Sequence, residues 1–208
     1  VLISGGGSNL QALIEDSQRA DAPYKIVGVV SNRPQAGGLQ HAENANIPQQ
    51  VINHQDFNGR QQFDQAMIEA IDSWQPDLVV LAGFMRILTD DFVTYYLGRM
   101  INIHPALLPS YPGLDTHQRV IDAGETHHGA SVHYVIPELD AGPVILQAKV
   151  AIKAAESADE LAARVLTLEH KIYPQCLRWI AEGKVTFKNN RVYLAGELLP
   201  ACGHQISD

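Results

Sequence analysis

The residues best suited to chemistry are an asparagine and a histidine two positions apart, Asn102 and His104, directly before Pro105. Side chains two residues apart in a strand lie on one face, so the pair projects together. Pro105 cannot donate to a ladder, which places the pair at the carboxyl end of its strand, where open α/β sheets bind ligands. This pair suits acyl transfer, with Asn102 stabilising an oxyanion and His104 moving protons near neutral pH. A purely structural strand-end histidine is the alternative.

A proline-rich loop and a distant aspartate extend this candidate site. Residues 106–113 (ALLPSYPG) are longer than a simple connection requires, and such loops at strand ends often carry function. Asp140 lies in the sequence ELDAGP, where aspartate is also favoured for turn formation alone. If Asp140 lies near His104, its charge favours the protonated imidazole and orders a water for proton transfer. Spacing in the sequence does not by itself bring them together.

The first turn of the chain is rich in glycine and is a candidate anion site. Gly5, Gly6 and Gly7 precede Ser8 and Asn9 between an apolar strand and a helix. The N–H groups at such a helix start can bind a phosphate. The sequence matches neither GxGxxG nor a P-loop, so a phosphate monoester fits it better than a dinucleotide. The alternative is that Ser8 or Asn9 simply caps the helix.

The elements that must position these residues alternate between strands and helices in the first half. Predicted strands there are residues 1–4, 24–31, 50–52, 78–82 and 100–104; predicted helices run through Leu10–Ile14 and over 37–44, 58–74 and 90–96. This alternation predicts an α/β fold with a doubly wound, mainly parallel, Rossmann-like sheet.

The second half changes character. Residues 130–135 and 144–152 are predicted to form an antiparallel pair at the far end of the sheet. Residues 157–182 are predicted to form a long C-terminal helix, and residues 185–187 and 192–194 a terminal hairpin. No repeat or polar linker divides the chain, so residues 1–208 are expected to form a single domain.

Composition narrows the function classes. The chain has 208 residues, with 15 Lys plus Arg, 23 Asp plus Glu, and a formal net charge of −8. This balance argues against a non-specific nucleic-acid binder, and we expect neither a membrane span nor a signal peptide. Cys176 and Cys202 give neither a disulfide framework nor metal-ligand spacing, which favours the cytoplasm and no metal. The chain starts without Met inside an apolar run, so we expect the first strand to begin earlier.

Three motifs together resemble those of 10-formyltetrahydrofolate-dependent formyltransferases. They are HPALLPSYPG, GASVH and LDAGPVILQ, and the likeness covers roughly residues 1 to 180. The resemblance implies a formyltransferase fold, 10-formyltetrahydrofolate as cosubstrate, and Asn102, His104 and Asp140 as the catalytic residues. It is strongest to the members that formylate the amine of glycinamide ribonucleotide in purine synthesis. No metal-ligand cluster appears in the sequence, so we expect no metal, and we expect a monomer or homodimer.

The same resemblance implies the binding residues. Gly7, Ser8, Asn9 and Glu169 match positions that bind the ribonucleotide. The folate positions are Arg60, Met85, Arg86, Ile87, Leu88, Asn102, Ile136, Pro137, Glu138, Leu139 and Asp140. Residues 1–100 then form the phosphate-binding half and residues 101–208 the catalytic and folate-binding half. Three positions depart from the pattern: relatives usually carry Asn or Arg at Gly6, frequently His at Asp115, and often a polar residue at Leu166.

Several interpretations stay open at this point. A related formyltransferase or hydrolase that uses another acceptor is one rival, and a non-catalytic nucleotide-binding module is another. Glu169 could lie on a solvent-exposed helix face instead of touching the ribonucleotide. His117 and His133 fit either structural hydrogen bonds or support of the site. His127 and His128 fall in a polar turn and are interpreted as solvated.

Overall fold

The computed structural model describes residues 1–207. The chain divides into two compact units between Ile101 and Asn102, within one strand. The expectation that the whole chain is one domain stays a prediction.

The first unit is a parallel sheet with helices between its strands. Its elements are β1 (Leu2–Ile3), α1 (Ser8–Ser17), β2 (Val29–Ser31), α2 (Gly38–Asn44), β3 (Gln49–Val51), a 3-10 helix (His54–Asp56), α3 (Arg60–Asp72), β4 (Val79–Leu81) and α4 (Asp90–Tyr95). The strand order is β4-β1-β2-β3, and each adjacent pair is parallel. The apolar positions of α1, Leu10, Leu13 and Ile14, are buried, because helical spacing puts them on one face.

The second unit contains the long helix and the antiparallel pair. Its elements are β5 (Met100–His104), which begins just before the division, α5 (Thr116–Asp122), β6 (His127–Tyr134), β7 (Val144–Ala151), α6 (Ala158–Ala181), β8 (Val185–Lys188), β9 (Arg191–Leu194), β10 (Glu197–Leu198) and β11 (His204–Ser207). The strand order is β11-β7-β6-β5, with β6 and β7 antiparallel, and β8, β9 and β10 form a small antiparallel sheet.

Helix α6 follows its sequence signals closely. Ser157 and Glu160 form a reciprocal capping box at its start, which satisfies N–H groups that the helix leaves unbonded. The predicted apolar stripe is buried, from Leu161 to Leu177, and it packs against β6 and β7.

The α/β class, the mainly parallel sheet, the antiparallel pair and the long C-terminal helix are confirmed. Four elements were not predicted: the 3-10 helix (His54–Asp56), α5, which follows the proline-rich loop, β10, and β11, which pairs in parallel with the outer side of β7. All four residues of β11 are exposed, and the strand therefore lacks the apolar pattern that marks buried strands. Within residues 1–207, no helix combines the length and apolar character that a membrane crossing needs.

Candidate active site

The carboxyl end of β5 carries the predicted pair, and its observed bounds match the predicted residues 100–104. His104 is 5% exposed, whereas Asn102 is half-buried. The imidazole donates from Nε2 to the backbone oxygen of Tyr111 at 2.9 Å, since a carbonyl can only accept. The proline-rich loop therefore sets the orientation of the histidine ring.

Asp140 lies beside His104, which the sequence alone did not establish. Its Oδ2 is 3.5 Å from Nδ1 of His104, and its side chain is 9% exposed. The same oxygen accepts a hydrogen bond from the backbone N–H of Gly113 at 2.8 Å. The turn between β6 and β7 and the proline-rich loop thus hold the carboxylate against the imidazole. Because both side chains are shielded from water, their mutual attraction is stronger than at a surface.

Asp140 also has an unusual backbone conformation. Its φ angle is 51°, in the left-handed region that aspartate and asparagine tolerate better than most residues. Gly142 follows two positions later, and a Cβ there would lie 1.7 Å from the backbone oxygen of Tyr134. The turn therefore requires glycine at 142, and this close approach helps to fix the position of Asp140.

His133 supports the site as a neutral ring. Burial lowers its pKa to about 4, although the nearby carboxylate of Asp140 opposes that shift. Its Nδ1 donates to the backbone oxygen of Tyr134 at 2.9 Å, which leaves Nε2 to accept from the amide of Asn102 at 3.3 Å. His133 thereby fixes which end of the Asn102 amide carries the donors. Of the two interpretations of His133, the geometry favours support of the site over purely structural hydrogen bonds.

The interpretation of His128 as solvated is wrong. His128 is 1% exposed on β6, and its Nε2 lies 3.0 Å from Nδ1 of His117. Burial is the main cause that lowers the pKa of both rings, and that of His128 falls to about 4. The two adjacent histidines resembled a polar turn, but β6 begins at His127 and the alternation of the strand turns His128 inward. His127 is exposed, as expected.

This burial predicts a pH-dependent stability. His128 has a folded pKa of about 4 against an ordinary value of 6.5, so protons bind more strongly to the unfolded chain. The contribution of the neutral His128 ring to the free energy of unfolding is present above pH 6.5 and is lost as the pH falls from 6.5 towards 4. We expect a smaller drop in Tm between pH 7.5 and pH 5 for His128→Gln than for the unchanged protein, measured by calorimetry. An equal drop in both proteins would contradict the assignment.

The glycine-rich turn has the form of an anion site. Gly7 is the N-cap of α1 with a φ angle of 77°, and among the described residues no side chain caps this helix. The alternative that Ser8 or Asn9 is the cap is therefore wrong. A Cβ on Gly7 would lie 2.5 Å from the Cα of Gly38, whereas a Cβ on Gly5 or Gly6 would meet no described atom within 4 Å. The turn thus packs against Gly38 at Gly7 and is open at Gly5 and Gly6, at the positive end of the α1 helix dipole.

The predicted folate segment is an anchored loop after β4. The N–H of Met85 donates to Oγ of Ser4 at 2.7 Å, and Thr89 donates twice to the buried carboxylate of Asp64. Between these anchors, Met85 and Ile87 are 59% and 60% exposed. Arg86 and Leu88 are half-buried, and Arg60 is exposed at the start of α3. Exposed apolar side chains on a fixed loop, next to a guanidinium, suit a flat ring that carries a carboxylate.

The other predicted contacts lie in the second unit. Ile136 is half-buried, and Pro137, Glu138 and Leu139 are exposed on the turn that leads to Asp140. Glu169 is 7% exposed on α6, so the alternative of a solvent-exposed helix face is wrong. Its role in binding a ribonucleotide stays a prediction. Within residues 1–207, no three His, Cys, Asp or Glu side chains are arranged to hold a metal ion.

Three polar residues were missed as part of this site. Ser131 and Gln147 are buried and hydrogen-bond the backbone of residues 106–108, and the exposed Gln205 hydrogen-bonds Gln147. The signal that could have found the first two is a polar residue inside an otherwise apolar strand, since such a residue needs a partner when buried.

Comparisons with known proteins show the family to which the chain belongs. A family model described as formyl transferase matches residues 1–177. The chain is 48% identical over 204 residues to the phosphoribosylglycinamide formyltransferase of Escherichia coli strain K12, covering 98% of this chain and 96% of that one. It is 44% identical over 190 residues to the human trifunctional purine biosynthetic protein adenosine-3, covering 91% of this chain and 19% of that protein. The solved phosphoribosylglycinamide formyltransferase of Coxiella burnetii superposes with a TM-score of 0.95 at 49% identity, covering 99% of this chain and 96% of that one.

Proposed function

The chain belongs to the formyl transferase family and is an enzyme, and we propose that it moves the formyl group of 10-formyltetrahydrofolate to the primary amine of glycinamide ribonucleotide. The observation that carries the proposal is the cluster of Asn102, His104 and Asp140. It occurs in a chain whose whole length is similar to enzymes of purine synthesis that are named for this transfer. The cytoplasmic location expected from the cysteines stays part of this proposal.

The proposed reaction is a direct transfer. The neutral amine attacks the formyl carbon, so a carbon–nitrogen bond forms and the formyl oxygen becomes negative. The amide of Asn102 and the imidazolium of His104 stabilise that oxygen. A water held by Asp140 takes a proton from the attacking nitrogen and delivers it to N10 of the folate. The bond between the formyl carbon and N10 then breaks as the carbonyl re-forms. This step releases tetrahydrofolate and the formylated ribonucleotide.

The distances of the site are consistent with this sequence of steps. The 3.5 Å between Asp140 and His104 is longer than a strong hydrogen bond, and such contacts often shorten when substrates bind. His104 donates its Nε2–H to Tyr111, whose φ angle of 56° lies in the strained left-handed region. We infer that the formyl oxygen replaces the Tyr111 carbonyl as the acceptor of this proton.

The two binding sites are assigned by their chemistry. The open face above Gly5 and Gly6, at the start of α1, receives the phosphate of the ribonucleotide. The segment of Met85 to Leu88 contacts the folate, with Arg86 and Arg60 available for its carboxylates. Holding both substrates in line supplies a large part of the acceleration.

The experiment that tests the reaction measures tetrahydrofolate formation with and without glycinamide ribonucleotide. The proposal predicts that product appears only when the ribonucleotide is present, together with one equivalent of formylated ribonucleotide. Release of formate at the same rate without the ribonucleotide would instead identify a hydrolase. Binding of both ligands with no turnover in either condition would identify a non-catalytic binding module.

A paired substitution tests the phosphate site. Gly6→Asp places a carboxylate in open space above the turn, whereas Gly6→Asn has the same shape without the charge. We expect the aspartate to raise the KM for the ribonucleotide at least about tenfold by repelling its phosphate, and the asparagine to change it by less than about threefold. The KM for the folate should stay constant in both. Equal changes of the KM for the ribonucleotide in the two variants would show that its phosphate does not bind at this turn.

A further inference from the structure

A row of polar side chains crosses three neighbouring strands of the second unit. Ser131 on β6 is the register partner of Gln147 on β7, and Gln147 is the register partner of Gln205 on β11. Register partners lie on the same face of a sheet, so the three side chains form one line. Ser131 and Gln147 are 0% and 1% exposed, whereas Gln205 lies on the exposed edge strand.

The inner end of the row holds the loop that follows β5. Oγ of Ser131 donates to the backbone oxygen of Ala106 at 2.6 Å and accepts from the N–H of Leu108 at 3.1 Å. Nε2 of Gln147 donates to the backbone oxygen of Leu108 at 2.7 Å and to Oγ of Ser131 at 3.0 Å. One hydroxyl has one proton and two lone pairs, so these bonds use the full capacity of Ser131.

The outer end of the row fixes the orientation of Gln147. Its amide nitrogen has two protons, and both are taken by Leu108 and Ser131. Its Oε1 accepts from Nε2 of Gln205 at 3.0 Å. If the Gln147 amide turned over, its oxygen would face the Leu108 carbonyl and its nitrogen would face the donor on Gln205, so both partners favour the observed orientation. Without that donor, a buried oxygen loses its partner, and buried networks respond strongly to such a loss.

The loop held by this row orients the proposed catalytic groups. Tyr111 accepts the Nε2 proton of His104, and Gly113 donates to Asp140. Displacement of residues 106–108 would move both contacts, because Tyr111 and Gly113 lie three and five residues after Leu108 in the same loop. The edge strand β11 is thus connected to the site by two successive hydrogen bonds, from Gln205 to Gln147 and from Gln147 to Leu108, and then by the covalent loop from Leu108 to Gly113.

We propose that Gln205 is a positioning residue, which acts through Gln147 on the loop of residues 105–113 and so on His104 and Asp140. This role deepens the proposed function and depends on it for its effect on turnover. Its effect on the His104 ring does not depend on any substrate. Gln205 touches neither His104 nor Asp140, and its influence therefore passes through the loop.

The test compares three variants of the full chain with the unchanged protein. Gln205→Leu removes the donor at similar volume, Gln205→Lys keeps a donor for Oε1 of Gln147, and Ile206→Ala weakens β11 through a side chain at the adjacent position. Turnover, the KM for glycinamide ribonucleotide and Tm are measured. The nitrogen signals of isotope-labelled His104, which report which ring nitrogen carries the proton, are recorded by NMR without substrates.

For Gln205→Leu we expect turnover to fall about tenfold or more, since small misplacements of catalytic groups are costly. Its KM for the ribonucleotide should stay within about twofold, and its His104 nitrogen signals should be displaced from those of the unchanged protein. Gln205→Lys should behave as the unchanged protein, and Ile206→Ala should lower Tm alone. Unchanged turnover and His104 signals in Gln205→Leu, or equal losses in the Leu and Lys variants, would overturn the proposal. If the unchanged protein does not formylate the ribonucleotide, the proposed function fails, and the His104 signals still decide the role of Gln205.

Discussion

Replacing Asp140 with Asn is expected to reduce turnover by about 10³-fold while both substrates still bind. Asparagine tolerates the left-handed conformation observed at this position, where φ is 51°. Its side-chain oxygen can keep the hydrogen bond from Gly113, so the turn survives. What disappears is the negative charge beside His104, together with the strongest acceptor for the water that carries the proton. The measurement is steady-state turnover with both KM values.

A second aspartate, just after the proline-rich loop, offers a matched control for the Asp140→Asn substitution. Asp115 has a φ angle of 56°, is exposed, and among the described residues makes no side-chain capping bond to α5. Asp115→Asn is therefore the same chemical change in the same backbone conformation, two residues after Gly113. We expect turnover within about twofold of the unchanged protein. Turnover of Asp140→Asn that matched this control would show that Asp140 only forms a turn.

Replacing His104 with Ala is expected to lower turnover by about 10²-fold or more, the usual contribution of a positioned acid–base group. The ribonucleotide should bind almost normally, because its phosphate is proposed to dock at the start of α1. The exposed His127 provides the control, since His127→Ala removes the same ring from a position that lacks a role in the site. The assigned role is wrong if His104→Ala turns over at a rate near that of the control.

The elements that carry the site were predictable because their residues obey local rules. β5 was predicted with its observed bounds, since an apolar alternation over Met100–His104 meets Pro105, which cannot continue a ladder. Helix α6 was predicted to within one residue at each end because Ser157 and Glu160 form a capping box and its apolar stripe is regular.

The meeting of Asp140 with His104 was not predictable from local patterns. The two residues are separated by a loop, α5, β6 and a turn, and their contact depends on the hydrogen bond from Gly113 to the carboxylate. The resemblance of the motifs to a family implies that the two residues act together, but it gives no physical reason in this sequence for their contact. The distance of 3.5 Å is a property of the folded chain.

Two failures have a common physical cause. The sequence suggests a solvated His128 and gives no sign of β11, because the buried position of His128 and the formation of β11 both depend on pairing with β7. β11 contains one apolar residue, Ile206, and is exposed along its length, so its formation reflects tertiary context more than its own sequence. The row of Ser131, Gln147 and Gln205 was missed for the same reason.

The most direct test of the central claim follows a labelled formyl group. Unchanged protein and Asp140→Asn are each mixed with 10-formyltetrahydrofolate labelled in the formyl carbon and with glycinamide ribonucleotide, and the labelled products are identified by NMR. We predict that the unchanged protein moves all of the label onto the amine of the ribonucleotide, and that Asp140→Asn leaves it on the folate over the same time. Appearance of the label as free formate, or equal transfer by the two proteins, would contradict the account.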